Sequence, residues 1–303
     1  MKKLSKHIGI ICSTGRTGTS FFAKVLSTVI EGAFSVHEPD VWDGITTKTL
    51  DRIRRFGPYH MVVGRLLGKT GLRNLSQSFI DGRLSMDQLS EAIRSHRFSY
   101  YQSIDAELIV EANGQWFGIL PALPHVFENY RVVGIIRDPR FWLSSTLNFG
   151  HVYGPKDWVM HLGFRRLDPM MTGDVKYLER WPDMDRFEKA CWTWRGINTI
   201  LDRDIGADPD GKMYRFEDLF LGPNRQHVVD DALSFLTRFP DRKFDFDFPE
   251  SLLSNRIHSV PRASFPDWHE WNRTQARQLQ EICGPLMNKY GYGRETDWID
   301  LVG

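Results

Sequence analysis

A chain of 303 residues with 41% hydrophobic side chains is long enough to bury the core of one large domain, taken here as 1–303. Its 39 basic and 38 acidic side chains nearly cancel, so bulk charge gives no reason to expect nucleic acid as a partner. The three cysteines, Cys12, Cys191 and Cys283, are too few and too scattered for a disulfide framework or a zinc site. No apolar h-region precedes the first strand and no run is long enough to span a bilayer, so the expectation is a soluble, cytoplasmic protein.

In chain order, Ile8 to Cys12 is a short apolar, β-branched run, which suits a strand buried on both faces. From Ser20 onward, Phe21, Phe22, Val25, Leu26 and Val29 fall at helical spacing. Between them lies Thr14-Gly15-Arg16-Thr17-Gly18-Thr19-Ser20. A strand, a glycine-containing loop and a helix N-terminus together make an anion site: glycines admit close approach, free N–H groups point at the ligand, and the helix dipole favours negative charge. Hydroxyls at Thr17, Thr19 and Ser20 add donors, and Arg16 adds a forked cation. Neither Gly-x-x-x-x-Gly-Lys-Ser/Thr nor Gly-x-Gly-x-x-Gly is present; Thr19 stands where the Walker lysine would be.

Ala33–His37 reads as a second strand ending in His37-Glu38-Pro39-Asp40, where Pro39 keeps Glu38 out of the helical region. Two titratable groups then sit at a strand's carboxyl end, where ligands of open parallel sheets gather. Residues 50–75 are basic (Arg52, Arg54, Arg55, Arg65, Lys69, Arg73), with apolar residues between. The favoured reading is a pair of surface helices with solvated charged faces; the sharper one is a surface for an acidic acceptor or lipid headgroups. A helix is predicted over 86–100 and a strand over Glu107–Glu111, followed by Ala112-Asn113. Ile119 to Phe127 suggests a short helix broken by Pro121 and Pro124. Arg131–Ile136 is the clearest strand, leading through Arg137-Asp138-Pro139-Arg140 into a helix from Phe141 to about Phe149. Arg137 could simply pair with Asp138. With Ser144 and Ser145 it could instead hold a second phosphate group near the first anion loop.

Residues 150–183 have no clear period and read as an insertion or lid. Helix is expected over Met184–Asp204, His227–Phe239 and Thr274 to about Tyr290, strand over Lys212–Phe216, and an extended edge over Phe244–Phe248. Asn255–Asp267 is a polar loop holding Arg256, His258 and Arg262. Strands alternating with helices throughout imply an α/β fold with a parallel sheet covered on both faces.

Ser13–Ser20 resembles the 5′-phosphosulfate loop of the sulfotransferase family, and Val132–Ser145 resembles its 3′-phosphate motif, with Arg137 and Ser145 at the family's spacing. Tyr214-Arg-Phe-Glu-Asp-Leu219 and the tail Trp268…Trp271, Cys283-Gly-Pro-Leu-Met, Tyr290-Gly-Tyr292 are similar to further family segments. The resemblance spans most of the chain in the right order. It implies a P-loop NTPase-like three-layer sandwich that binds 3′-phosphoadenosine 5′-phosphosulfate (PAPS) and, without a metal, moves its sulfuryl group to an acceptor hydroxyl or amine. By position, Thr14 to Ser20 would hold the 5′-phosphosulfate, Arg137 and Ser145 the 3′-phosphate, and Arg256 or Arg262 would add a late cation. Arg16 would stabilise charge on the leaving oxygen, where the cytosolic branch has Lys. Glu38, slightly ahead of His37, would be the base, with Glu111 and Asn113 as acceptor-binding residues or alternative base. The acceptor would be a carbohydrate, lipid or other small molecule, with peripheral membrane contact open. The competing readings are a P-loop-like kinase or hydrolase and a non-catalytic nucleotide-binding protein.

Overall fold

The computed structural model describes residues 3–42, 44, 46–150, 152–157, 165–254 and 265–303. Five strands, β1 (Leu4–Ser13), β2 (Ala33–His37), β3 (Leu108–Ala112), β4 (Phe127–Ile136) and β5 (Gly211–Arg215), form one sheet in the order β2-β3-β1-β4-β5. Every pairing is parallel. The two longest strands, β1 and β4, lie side by side at the centre, with Ser13 level with Ile135. Their length exceeds the sequence expectation because Leu4 and Phe127 are buried at their starts, while charged residues between those and the apolar runs obscure the pattern.

The alternation of side chains along β1 divides the core. Ile8, Ile10 and Cys12 face a cluster built with Leu89, Ile93, Trp142, Trp194, Leu201 and Ile282. Ile11 faces the other, with Phe22, Leu26, Val229, Leu233 and Leu236. Helices thus cover both sheet faces, giving the expected three-layer α/β arrangement. On the first face lie helices Met86–Gln102, Pro139–Phe149, Arg186–Gly206 and Arg273–Lys289; on the second lie Thr19–Val29 and Arg225–Thr237.

Shorter elements depart from expectation in instructive ways. The 119–127 stretch is a 3-10 turn, Leu120–Ala122, running into a single helical turn, Leu123–Val126, because Pro121 and Pro124 both sit at helix starts. Phe244–Phe248 forms no strand of the sheet: Phe246 makes an isolated antiparallel bridge with Ile30, as Lys243 just before it does with Arg238. The basic 50–75 stretch comprises helix Thr47–Phe56, a π turn at Tyr59–Val63, one helical turn and helix Leu72–Ile80. Its arginines are not all solvated: Arg52 donates to the Val41 carbonyl at 2.7 Å, and Arg65 reaches the Asp40 carboxylate at 3.3 Å.

With β1 flanked by β3 and β4, the segments leaving the carboxyl ends of these three strands converge. That is where a crevice for a ligand opens in a sheet of this kind.

Candidate anion-binding site

The loop after β1 is shaped by backbone conformations that glycine adopts without cost. Gly15 (φ 78°), Arg16 (φ 55°) and Gly18 (φ 85°) all lie in the left-handed region. Gly18 caps helix Thr19–Val29, and the chain reverses tightly enough that a Cβ there would lie 2.7 Å from the Phe220 ring. At Gly15 the corresponding space is open. The amides of Arg16, Thr17 and Gly18 donate no hydrogen bond to another described residue. Amides turned out of the loop at the start of a helix form a concave, positively polarised nest.

The loop hydroxyls divide by direction. Thr17 is buried and donates to Ser13 Oγ at 2.5 Å, so its side chain is spent inside the loop and only its amide is left without a partner among the described residues. Thr14 Oγ1 is buried with no hydrogen-bond partner among the described residues. Thr19 and Ser20 hydroxyls lie 3.4 and 3.2 Å from His37 Nε2, which ties the end of β2 to the first turn of the helix.

The second junction, between β4 and helix Pro139–Phe149, is fastened directly to this loop. Arg16 Nε donates to Ser145 Oγ at 3.1 Å, Arg137 Nη1 to the Arg16 carbonyl at 2.8 Å, and Trp142 Nε1 to the Gly15 carbonyl at 2.9 Å. Arg16 stacks on Phe149 and Arg137 on Phe216, both at 4.5 Å. Asp138 is not the partner of Arg137. It caps the helix through the Arg140 amide and binds the Arg140 guanidinium, which also holds Glu295. Arg137 makes no ion pair with a described residue, and its Nε is buried without a hydrogen bond. Burial lowers the pKa values of Arg137 and Arg16 below the usual arginine value, the sign of cations held where little compensates them.

Behind Arg137, Glu217 accepts from the Asp138 amide at 3.1 Å and from Tyr292 O–H at 2.8 Å. Burial pushes its carboxyl up from the ordinary value. The Tyr214–Leu219 segment and the C-terminal Tyr292 therefore meet at this junction, although they are far apart in sequence.

Glu38 follows β2 in a left-handed conformation (φ 43°) that a non-glycine residue adopts at a cost of about 1–3 kcal/mol. Its amide donates to the Ala112 carbonyl at 3.2 Å, and its carbonyl accepts from Val41 at 3.1 Å. Next to it, the fully buried Asp40 accepts from His60 Nε2 at 2.9 Å and Arg97 Nη2 at 3.0 Å. Burial alone would raise the Asp40 carboxyl, but Arg97, His60 and Arg65 together hold it well below the usual range.

Arg97 also explains Glu111, which the sequence offered as an acceptor ligand or base. Glu111 is wholly buried, and both its oxygens are engaged: by Arg97 Nε and Nη2 at 2.9 and 3.0 Å, Tyr101 O–H at 2.5 Å, Asn113 Nδ2 at 2.9 Å and Trp116 Nε1 at 3.2 Å. Asn113 is spent there and on the Gln115 amide. These residues brace the ends of β2 and β3, and the structure does not turn their side chains toward the loop mouth. Arg256, His258 and Arg262 lie outside the described residues. Trp142 and Arg97 were missed from the sequence; Trp142, three residues before Ser145 on one helix, carried the only local signal.

Among the described residues no group of three His, Cys, Asp or Glu side chains is placed to hold a metal, and no helix is long and apolar enough to cross a membrane. The chain is similar over 96% of its length, and 99% of the other's, to the sulfotransferase domain from the curacin biosynthetic pathway, at 15% identity and a TM-score of 0.46. It is similar over 98% of its length, and 100% of the other's, to the sulfotransferase from Alicyclobacillus acidocaldarius, at 14% identity and a TM-score of 0.42. No family model and no curated protein sequence matches it. Identities and superpositions at this level leave the functional argument to the residues of the site.

Proposed function

We propose that this chain is a sulfotransferase that moves the sulfuryl group of PAPS to a hydroxyl or amine of an acceptor. One observation carries the reading. Two cationic anion cradles, one of loop amides and one around Arg137, neither of them satisfied by a described residue's backbone or carboxylate, are hydrogen-bonded to each other at adjacent strand ends, with no Walker lysine in either. A nucleotide bearing phosphate on both sides of its ribose needs two such sites. The unpartnered Thr14 Oγ1 and Arg137 Nε, and the open space over Gly15, fit such a ligand.

In this assignment the amides of residues 16–20, with Thr14, Thr19 and Ser20, hold the 5′-phosphosulfate around the turn that Gly15 makes, while Arg137 and Ser145 hold the 3′-phosphate. Arg262 remains the proposed late cation. Bound there, PAPS would supply the sulfuryl group, sulfur bonding to the acceptor oxygen as its bond to the 5′-phosphate oxygen breaks. Arg16 sits between the two cradles and neutralises the charge that develops on the leaving oxygen; always protonated, it acts electrostatically and not as an acid. Glu38 takes the acceptor's proton. His37, held against Thr19 and Ser20, keeps those donors and the Glu38 turn in register, a positioning role. Such transfer is mostly positioning and charge stabilisation, so the residues need no metal partner. The acceptor is a small molecule, glycan or lipid, and we place the protein in the cytoplasm, where its three buried thiols stay reduced.

Isothermal titration with 3′-phosphoadenosine 5′-phosphate (PAP), ATP and 5′-AMP tests the reading. Micromolar binding of PAP, lost without the 3′-phosphate, is expected. Binding of ATP that requires Mg²⁺, with no preference for the 3′-phosphate, would instead establish a kinase or hydrolase.

A further inference from the structure

The candidate base Glu38 lies within electrostatic reach of an arginine, Arg73. Arg73 lies in the first turn of helix Leu72–Ile80, and Arg166 and Arg65 both act on its charge. Gly71, just before, is packed against the Arg65 guanidinium, whose Cζ lies 3.2 Å from where a glycine Cβ would be. One turn after Arg73, Gln77 donates to the Arg165 carbonyl at 3.1 Å, which brings the next residue, Arg166, alongside the same helix face. Ser76 of this helix donates to the Phe117 carbonyl at 2.6 Å and Ile80 lies against Gly118, which sets the helix against the segment leaving β3; Gly114 at the start of that segment abuts the Ser13 carbonyl.

The local carboxylates are unevenly spent. Asp40 is taken by His60, Arg65 and Arg97, and Asp157 by both arms of Arg166, at 2.6 and 2.8 Å, and by the Tyr153 amide. Arg73 makes no hydrogen bond and no ion pair with any described residue, while Glu38 acts on it from longer range. Burial and the repulsion of Arg166 push the Arg73 guanidinium down to about 10. A partly buried fork of five donors with no acceptor among the described residues is suited to an anion.

We propose that Arg73, framed by Arg65 and Arg166, binds an anionic group of the acceptor, a carboxylate or a tetrahedral oxyanion, beside the hydroxyl presented to Glu38. The inference rests on the transferase reading for the role of Glu38, but the anion site itself does not. The acceptor is then an acidic molecule, bound by its charge at Arg73 so that its hydroxyl lies between Glu38 and the phosphosulfate cradle. A neutral hydroxyl compound loses that charge-assisted fork and is a poor substrate.

Equilibrium dialysis with radiolabelled sulfate, and separately acetate, on the full chain saturated with PAP tests the site. One anion per chain beyond PAP is expected, its affinity falling at least tenfold in Arg73→Gln while PAP affinity is unchanged. Stronger binding of sulfate supports a tetrahedral group, and stronger binding of acetate a carboxylate. Should Arg73→Gln not fold, Arg73→Met keeps the stem packing and removes the charge. Anion binding that neither variant changes overturns the inference. Failure of PAP to bind would sink the proposed function while the Arg73-dependent anion could still be measured without it, so the two failures read separately.

Discussion

At the scale of single residues, Arg137 and Glu38 divide the proposed chemistry between binding and turnover. Arg137 spends Nη1 on the Arg16 carbonyl, but its buried Nε is unsatisfied and it makes no ion pair with a described residue, which leaves donors for a phosphate. Charge-assisted hydrogen bonds of this kind are worth about 1.5–3 kcal/mol, so Arg137→Ala should weaken PAP binding roughly ten- to hundredfold by calorimetry. Equal affinity in the variant would remove Arg137 from the site. Glu38→Gln keeps the shape of the turn that Ala112 and Val41 hold, and should cut kcat by about 10²–10⁴ with PAP affinity nearly intact. Loss of both in proportion would make Glu38 a structural residue.

At the scale of elements, the strand-loop-helix unit after β1 makes different demands on its glycines. Gly15 needs only its positive φ, whereas Gly18 needs both positive φ and the absence of a Cβ against Phe220. Left-handed backbone costs a non-glycine residue about 1–2 kcal/mol. Gly15→Ala should therefore destabilise by about that much in urea unfolding while obstructing the open cradle and weakening PAP binding. Gly18→Ala should cost more, and Phe220→Leu in the same chain should return part of the difference. Equal destabilisation at both positions would show that Phe220 does not press on the loop. The sequence made this unit legible, because strand, loop and helix are consecutive and each follows its own period. It could not show that Trp142 and Arg137 hold the loop carbonyls, since those contacts span more than a hundred residues, nor that Thr17 turns inward to Ser13, which depends on the loop's backbone conformation.

At the scale of the whole molecule, the ends of β2 and β3 are joined to helix Met86–Gln102 by a buried ionic chain, Asp40–Arg97–Glu111. His96, next along that helix, packs edge-on to His60 with ring centroids 4.5 Å apart. Burial, with His60 and Arg97 adding, pushes His96 down to about 3. The folded state thus refuses a proton that the unfolded chain accepts from pH ~6.5 downward. His96 should cost stability as pH falls from ~6.5 to ~3, by roughly 1.4 kcal/mol per unit. Asp40, held low, adds a loss in the same direction below ~3.9, while Glu217, pushed up by burial, works the opposite way. Urea unfolding between pH 7 and 5 should show the slope, and His96→Phe should flatten it. A slope unchanged in that variant would assign the acid sensitivity elsewhere. Removing Arg97 would leave the buried Glu111 without its cation and Asp40 with only His60 and Arg65, which is why we read these two carboxylates as structural.

The sequence by itself determined the alternating α/β order, the parallel sheet covered on both faces and the two strand-to-helix junctions rich in glycine, hydroxyls and arginine. These follow from local periodicity and from turn and cap chemistry, which act over a few residues. Only the tertiary structure decided which charged groups are spent on one another. Glu111 and Arg137 look alike in the sequence, each a charge at a strand's carboxyl end. The fold lays Arg97 of the preceding helix against Glu111 to neutralise it, and assigns Asp138 to Arg140, leaving Arg137 and Arg73 without an ion pair among the described residues. Charges are paired by proximity in space, and that proximity is set by the packing of elements that the local pattern does not encode.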